Sequence, residues 1–271
     1  MDKAKHQTYF DSNRSLWNEK TSVHLDSDFY QMPQFRAGED LLKPAELEAL
    51  GDVSGKRLLH LQCHFGQDTL AWARRGAHVT GVDLSDAAIS AACELRDELG
   101  LEARFIRSNV YDIEQHLDEE FDIVISTYGT TVWLPDLNEW SRLVARYLKP
   151  GGVFFLAEFH PAFYMFEFEN WRVVYSYFTG QEPYKDEMVG TYADRNADLR
   201  HDEYFWNHSI AQTLQPLLDR GLRLQEFREY PYNYWNCFPN MVETAPGQFM
   251  IKGFEDLLPL MYSIFLEKPL G

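Results

Sequence analysis

An α/β fold, an open and mostly parallel sheet with helices on both faces, is what this sequence predicts. Three observations predict it. Short apolar runs alternate with amphipathic segments between residues 54 and 160. Glycines and helix-capping residues fall at the junctions. The segment Trp140, Leu143, Val144, Tyr147, Leu148 repeats at i, i+3, i+4, i+7 and i+8, a helix with one apolar face. Such alternation implies parallel strands joined by right-handed crossovers.

Residues 1–53 read as an N-terminal helical cover, polar and aromatic. Asp11 to Ser15 are candidates to cap a short helix, and Pro44 to open another that runs to Leu50. Residues 54–271 read as the main domain. Arg57 to Cys63 is an apolar run suited to a buried strand. Gly66 follows, then a helix from Gln67 to Arg75 closed by Gly76. His78 to Asp83 is the second strand, and Ser85 caps a helix ending at Gly100. Ala103 to Asn109 and Phe121 to Thr127 are the third and fourth strands. Asp136 caps the amphipathic helix, which Lys149-Pro150-Gly151-Gly152 ends, and Val153 to Phe159 is the fifth strand.

After Pro161 the alternation stops. Residues 162–205 form an aromatic-rich insertion with Phe163, Tyr164, Phe166, Phe168, Trp171, Tyr175, Tyr192, Tyr204 and Phe205. A helix over residues 207–220, a strand from Leu222 to Glu229, a loop from Tyr230 to Glu255 and a strand from Leu258 to Glu267 complete the chain. The insertion suits a lid over an organic substrate, and equally the core of a small subdomain.

The chain has 271 residues and a net charge of −17. Excess acid disfavours nucleic acid and anionic membrane surfaces, which need clustered Lys and Arg. No apolar run reaches the roughly 20 residues of a bilayer span. The polar start Met1-Asp2-Lys3 shows no signal peptide, so a cytoplasmic protein is expected. Cys63, Cys93 and Cys237 are too scattered for a disulfide framework or a zinc site. Cys63 and His64 point to opposite sides of an extended chain, so no metal is expected.

Ligands of an open parallel sheet bind beyond the carboxyl ends of its strands. Asp83 ends the second strand, 17 residues past Gly66. Its two acceptor oxygens match the two hydroxyls of a ribose. Gly66 is the one glycine of the first turn, and His64 and Phe65 are bulky. A pyrophosphate needs bare amides there, so dinucleotides and nucleoside triphosphates are disfavoured. A nucleoside without phosphates fits.

Those segments carry a resemblance. Leu58-Leu59-His60-Leu61-Gln62-Cys63-His64-Phe65-Gly66, then Gly81-Val82-Asp83-Leu84-Ser85, Phe121-Asp122-Ile123-Val124 and Leu148-Lys149-Pro150-Gly151-Gly152 resemble a class I S-adenosylmethionine-dependent methyltransferase over residues 54–160. The resemblance implies a Rossmann-like, seven-stranded sheet whose last strand is antiparallel, and S-adenosylmethionine as cofactor with S-adenosylhomocysteine as product. It implies that Gln62, Cys63, His64 and Gly66 wrap the methionine part, and that Asp83 holds the ribose. It places Leu84 and Val110 against adenine, with Asn109 accepting from the adenine amino group. Thr127 and Tyr128 approach the methyl. The chain departs from the family at His60, Gln62 and His64, which stand where an acid and two glycines are usual. Tyr9, Arg14, Trp17 and His24 of the cover are candidates for the methionine carboxylate.

Methyl transfer aligns an acceptor electron pair with the methyl and removes a proton if the acceptor carries one. His160, directly after the fifth strand, is the candidate base; a backbone-bonded loop histidine is the alternative. Glu158, Tyr164, Trp206 and His208 are candidates for the substrate side. The function expected is methyl transfer to N, O or S of a small organic acceptor, aromatic or heterocyclic. A non-catalytic module that binds the cofactor or senses a ligand is the competing reading, motivated by the altered first turn.

Overall fold

The structure, a computed structural model, describes residues 3–167, 172–178, 180, 182–236 and 238–271. Phe168, Trp171 and Cys237 lie outside the described residues. The sheet has seven strands: β1 (Arg57–Leu61), β2 (His78–Asp83), β3 (Ala103–Arg107), β4 (Phe121–Thr127), β5 (Leu148–Phe159), β10 (Arg223–Tyr230) and β13 (Met261–Glu267). Their order is β10-β13-β5-β4-β1-β2-β3. β13 runs antiparallel to both β5 and β10, and the remaining pairs are parallel. The order reverses between β1 and β4, so the crevice at their carboxyl ends is where a ligand fits.

Period-two alternation sorts the strand residues between two cores. Leu59, Leu61, Val124, Phe154 and Leu156 face α6 (Leu137–Tyr147) and α7 (Ile210–Asp219). Leu58, Ile123, Ile125, Phe155 and Ala157 face α3 (Pro44–Leu50), α4 (Gln67–Arg74) and α5 (Asp86–Leu99). Trp140, Leu143, Val144 and Tyr147 of α6 are fully buried. Each such side chain contributes about 1.5–3 kcal/mol by leaving water, so Leu143→Ala should cost about 2–5 kcal/mol. Asp136 caps α6 through the N–H groups of Asn138 and Glu139, and Ser85 caps α5 through Ala88. The strand β5 begins at Leu148, where the helix ends. Lys149 to Gly152 are therefore an irregular stretch of the strand rather than a separate turn.

Within the cover, Pro44–Leu50 forms the expected helix, while the cap reading of Asp11 to Ser15 is corrected. Asp11 to Ser15 lie inside one 24-residue helix, α1 (Lys3–Asp26), and do not cap a short one. Their polar groups are used elsewhere: Asn13 Nδ2 donates to the Tyr204 carbonyl at 2.7 Å and Oδ1 accepts from the Tyr204 N–H at 3.0 Å. The described residues of 162–205 hold two antiparallel pairs, β6 (Phe166–Glu167) with β7 (Arg172–Val173), and β8 (Tyr184–Val189) with β9 (Arg200–Phe205). The segment read as a loop from Tyr230 to Glu255 contains the hairpin of β11 (Met241–Ala245) and β12 (Gln248–Ile251). Among the described residues no helix is long and apolar enough to cross a membrane.

Candidate functional site

Beyond the carboxyl ends of β1 to β4 lies a cavity of about 760 Å³. Gln62, Cys63, His64, Gly66, Asp83, Leu84, Asn109, Val110, Thr127 and Tyr128 all line it. The sheet brings together every residue expected to hold the cofactor, because each follows a neighbouring parallel strand.

The first turn takes its shape without the usual glycines. Gln62 and His64 have φ of 58° and 52°, in the left-handed region, a conformation that costs a non-glycine residue about 1–2 kcal/mol. Contacts offset that cost. Gln62 Nε2 donates to the Thr130 carbonyl at 2.9 Å. The His64 ring packs against Trp17 and Phe65, with centroids 5.1 and 4.4 Å away. At Gly66, φ is 76° and an added Cβ would come within 2.7 Å of the Phe105 ring, so only glycine fits. Gln62 Oε1 and His64 Nε2 are buried without a hydrogen-bond partner. Buried polar atoms of this kind are ordinarily satisfied. Here they belong to residues that line a cavity, where a polar ligand can supply the missing bonds.

Asp83 is fixed before any ligand arrives. Oδ2 accepts from the His64 N–H and Oδ1 from the Ser85 N–H, both at 2.8 Å. Burial pushes its carboxyl up, and those two amides pull it back. Each oxygen keeps a lone pair for a hydroxyl. Asn109 Oδ1 accepts from the Tyr111 N–H at 3.1 Å, which holds its side chain at the start of a short 3-10 turn. Beneath the first turn, His60 stands in the place of the family's acid. Its ring bridges Thr69 Oγ1 at 2.9 Å and Thr127 Oγ1 at 3.3 Å, and burial lowers its pKa to about 4, leaving it neutral.

The candidates for the substrate side divide. Tyr164 lines the cavity; Glu158, His160, Trp206 and His208 do not. The expected base, His160, lies outside the cavity lining. His160 Nδ1 accepts from the Ala162 N–H at 3.1 Å, and Nε2 meets Glu229 Oε1 of β10 at 2.9 Å. The ring is turned toward the sheet edge and both nitrogens are engaged, which is the bonded loop histidine. Glu158 also lies outside the cavity lining. Oε1 accepts from the N–H groups of Gly129 and Phe159, and Oε2 from those of Thr130 and Thr131. It organises the loop after β4 from below. The backbone N–H of Trp206 donates to the Val132 carbonyl at 2.8 Å, and its ring is buried. His208 Nε2 donates to the Leu134 carbonyl at 2.6 Å.

Of the cover candidates, Trp17 lines the cavity, whereas Tyr9, Arg14 and His24 do not. Tyr9 packs on Tyr204, and Arg14 reaches Asp11 and Asp86. His24 is buried among Trp17, Tyr30, His64 and Tyr192. Burial, with His64 and Lys20 nearby, lowers its pKa to about 2.

Sequence reasoning missed Lys20, Ser108, Trp133, Trp235 and Phe238, which also line the cavity. A signal existed for Lys20. It stands three residues after Trp17 and four before His24, so a continuous helix puts all three on one face. Trp235 and Phe238 lay in the segment read as a loop, with nothing local to aim them inward. Among the described residues no group of three His, Cys, Asp or Glu is placed to hold a metal ion.

Residues 58–152 match the family model described as a methyltransferase domain. A ubiquinone biosynthesis O-methyltransferase of Pseudomonas syringae pv. tomato is 29% identical over 122 residues, 44% of this chain and 52% of that protein. The enzyme of that name from Alkalilimnicola ehrlichii is 31% identical over 121 residues, 44% of this chain and 49% of that protein. The chain spans about half the length of these curated relatives. A solved SAM-dependent methyltransferase structure from Methanosarcina mazei superposes with a TM-score of 0.56 at 20% identity, covering 85% of this chain and 99% of that one. At that identity the likeness speaks for the fold.

Proposed function

We propose that this chain, whose residues 58–152 match a methyltransferase domain, is a class I S-adenosylmethionine-dependent methyltransferase that transfers a methyl group to a small aromatic or heterocyclic acceptor. The observation that carries the proposal is the convergence of the first turn, Asp83, Asn109–Val110 and Thr127–Tyr128 on one cavity. Bound S-adenosylmethionine supplies an electrophilic methyl on a sulfonium. Asp83 accepts from the ribose hydroxyls, its orientation set by two backbone amides. Leu84 and Val110 flank the adenine. The orphaned Gln62 Oε1 accepts from the amino-acid end. Thr127 and Tyr128 form the floor beneath the methyl.

Aromatic walls support the acceptor class. Phe29, Tyr164, Phe166, Trp235 and Phe238 line the cavity, a setting for a flat apolar molecule with few polar groups. Residues 162–205 serve as the lid: Tyr175, Met188, Tyr192 and Phe205 line the cavity, and β9 is fastened to α1 through Asn13. The O-methyltransferase relatives favour an oxygen acceptor. A second reading, a non-catalytic cofactor-binding module, draws on one observation: neither His160 nor Glu158 lines the cavity. The test is calorimetry with S-adenosylhomocysteine, followed by transfer of labelled methyl to a panel of small phenols, amines and thiols. Binding with transfer supports the enzyme. Tight binding with no transfer to any acceptor supports the module, and no binding removes both.

A further inference from the structure

Lys20 is a buried lysine on α1, outside the matched domain, and it lines the cavity. Its ammonium lies 4.7 Å from the ring centroid of Trp17, 5.3 Å from that of Trp133 and 6.0 Å from that of Tyr192. Aromatic faces attract a cation but do not replace its hydrogen bonds to water. Among the described residues the nearest carboxylate oxygen is Glu203 Oε2 on β9, an ion pair at 3.7 Å, longer than an ordinary hydrogen bond. A buried ammonium with three donors and one loose counter-ion is incompletely satisfied.

The location says which anion completes it. Trp17, one wall of the Lys20 cage, packs on His64 of the first turn, which is the methionine end of the cofactor site. The neighbouring imidazoles cannot supply positive charge there, since burial lowers His24 to about 2 and His64 to about 3. The other cavity-lining lysine, Lys43, has its ammonium over Trp235 at 5.1 Å, on the aromatic acceptor wall. Burial lowers Lys20 as well, but from an ordinary value of 10.5 and against the opposing pull of Glu203, so among the described cavity residues Lys20 is the group at the methionine end best able to carry a positive charge. We propose that Lys20 holds the α-carboxylate of the cofactor's methionine part, with Glu203 sharing the same ammonium from the lid. This rests on the cofactor reading above.

Decarboxylated S-adenosylhomocysteine, which lacks only that carboxylate, isolates the interaction. By calorimetry the wild-type protein should bind S-adenosylhomocysteine at least about tenfold more tightly than the decarboxylated compound. Lys20→Met should bring S-adenosylhomocysteine down to the level of the decarboxylated compound, and leave the latter within about twofold of its wild-type affinity. Lys20→Arg, which keeps the charge, should retain discrimination. Equal wild-type affinity for the two compounds overturns the inference whether or not Lys20→Met folds. So does a Lys20→Met protein that weakens both alike. Both outcomes leave the cofactor reading standing, whereas failure of the wild type to bind either compound removes that reading and this inference together.

Discussion

The backbone N–H of His64 donates to Asp83 Oδ2 at 2.8 Å. The first turn after β1 and the acid that ends β2 are thus one unit, and the conformation of one sets the aim of the other. Asp83→Ala should weaken S-adenosylhomocysteine binding at least about tenfold, since a carboxylate taking two hydroxyls is worth about 1.5–3 kcal/mol. It should also destabilise the free protein by about 1–3 kcal/mol, because the His64 and Ser85 amides lose their acceptor. Unchanged affinity in calorimetry would remove Asp83 from the ribose site.

Glu158 bears on stability rather than chemistry. Its carboxylate gathers the N–H groups of Gly129, Thr130, Thr131 and Phe159 at 2.7–2.9 Å. Glu158→Ala would leave several buried donors unpaired, each costing about 1–3 kcal/mol, so a loss of at least about 3 kcal/mol is expected in urea denaturation. A melting temperature equal to wild type would contradict that account.

Glu46 gives a pH dependence with a definite sign. The side chain is fully buried; Oε1 accepts from the Lys43 N–H at 2.7 Å, and Oε2 has no partner. Burial, reinforced by the nearby Asp68, raises its pKa to about 8. The folded value lies above the unfolded one, so this group's contribution is complete below about pH 4.5 and is lost as pH rises through about 8. Glu46→Gln, neutral at every pH, should be about 2–4 kcal/mol more stable relative to wild type at pH 9 than at pH 4. Parallel stability profiles for the two proteins would show that Glu46 does not titrate in this way.

The sheet, and the convergence of the strand-end residues on one cavity, were legible because their signals are local. A buried parallel strand is a short apolar run, and its ligand-facing residues follow it within a few positions; Asp83 and Thr127 needed no knowledge of distant parts of the chain. Glu158 and His160 also follow from strand position, but their partners do not. The amides of Gly129 to Thr131 and the carboxylate of Glu229 are 27–29 and 69 residues away, and periodicity says nothing of which way a terminal side chain turns. The cap reading within the cover failed for a different reason. Asp11 to Ser15 are strong cap residues, yet Asn13 and Ser12 bond to the backbone of β9, about 190 residues later, and tertiary contact overrode the local preference.

His160 should tolerate change in catalysis. Its bonds to Ala162 and Glu229 fix the segment after β5 to the sheet edge. If that is its work, His160→Gln lowers the melting temperature and leaves turnover within about threefold, far from the 10²–10⁴-fold loss, roughly, of a missing general base. A loss of that size with unchanged cofactor affinity and normal stability would restore the base.

Trp235 is the sharper handle on the acceptor. Its ring meets Tyr128, the residue proposed to face the methyl, edge-on at 4.8 Å between centroids and Phe159 at 6.4 Å, and it lines the same cavity. It comes from the segment after β10, outside the matched domain, so it is a wall the cofactor half does not build. Trp235→Ala removes a large apolar face from one side of the acceptor space and costs the acceptor about 1.5–3 kcal/mol of binding. With an acceptor identified from the panel, its KM should rise about tenfold or more. S-adenosylhomocysteine affinity should stay within about twofold, because Trp235 is not among the residues proposed to hold adenine, ribose or the methionine part. A fall in S-adenosylhomocysteine affinity equal to the rise in acceptor KM would assign Trp235 to the cofactor instead.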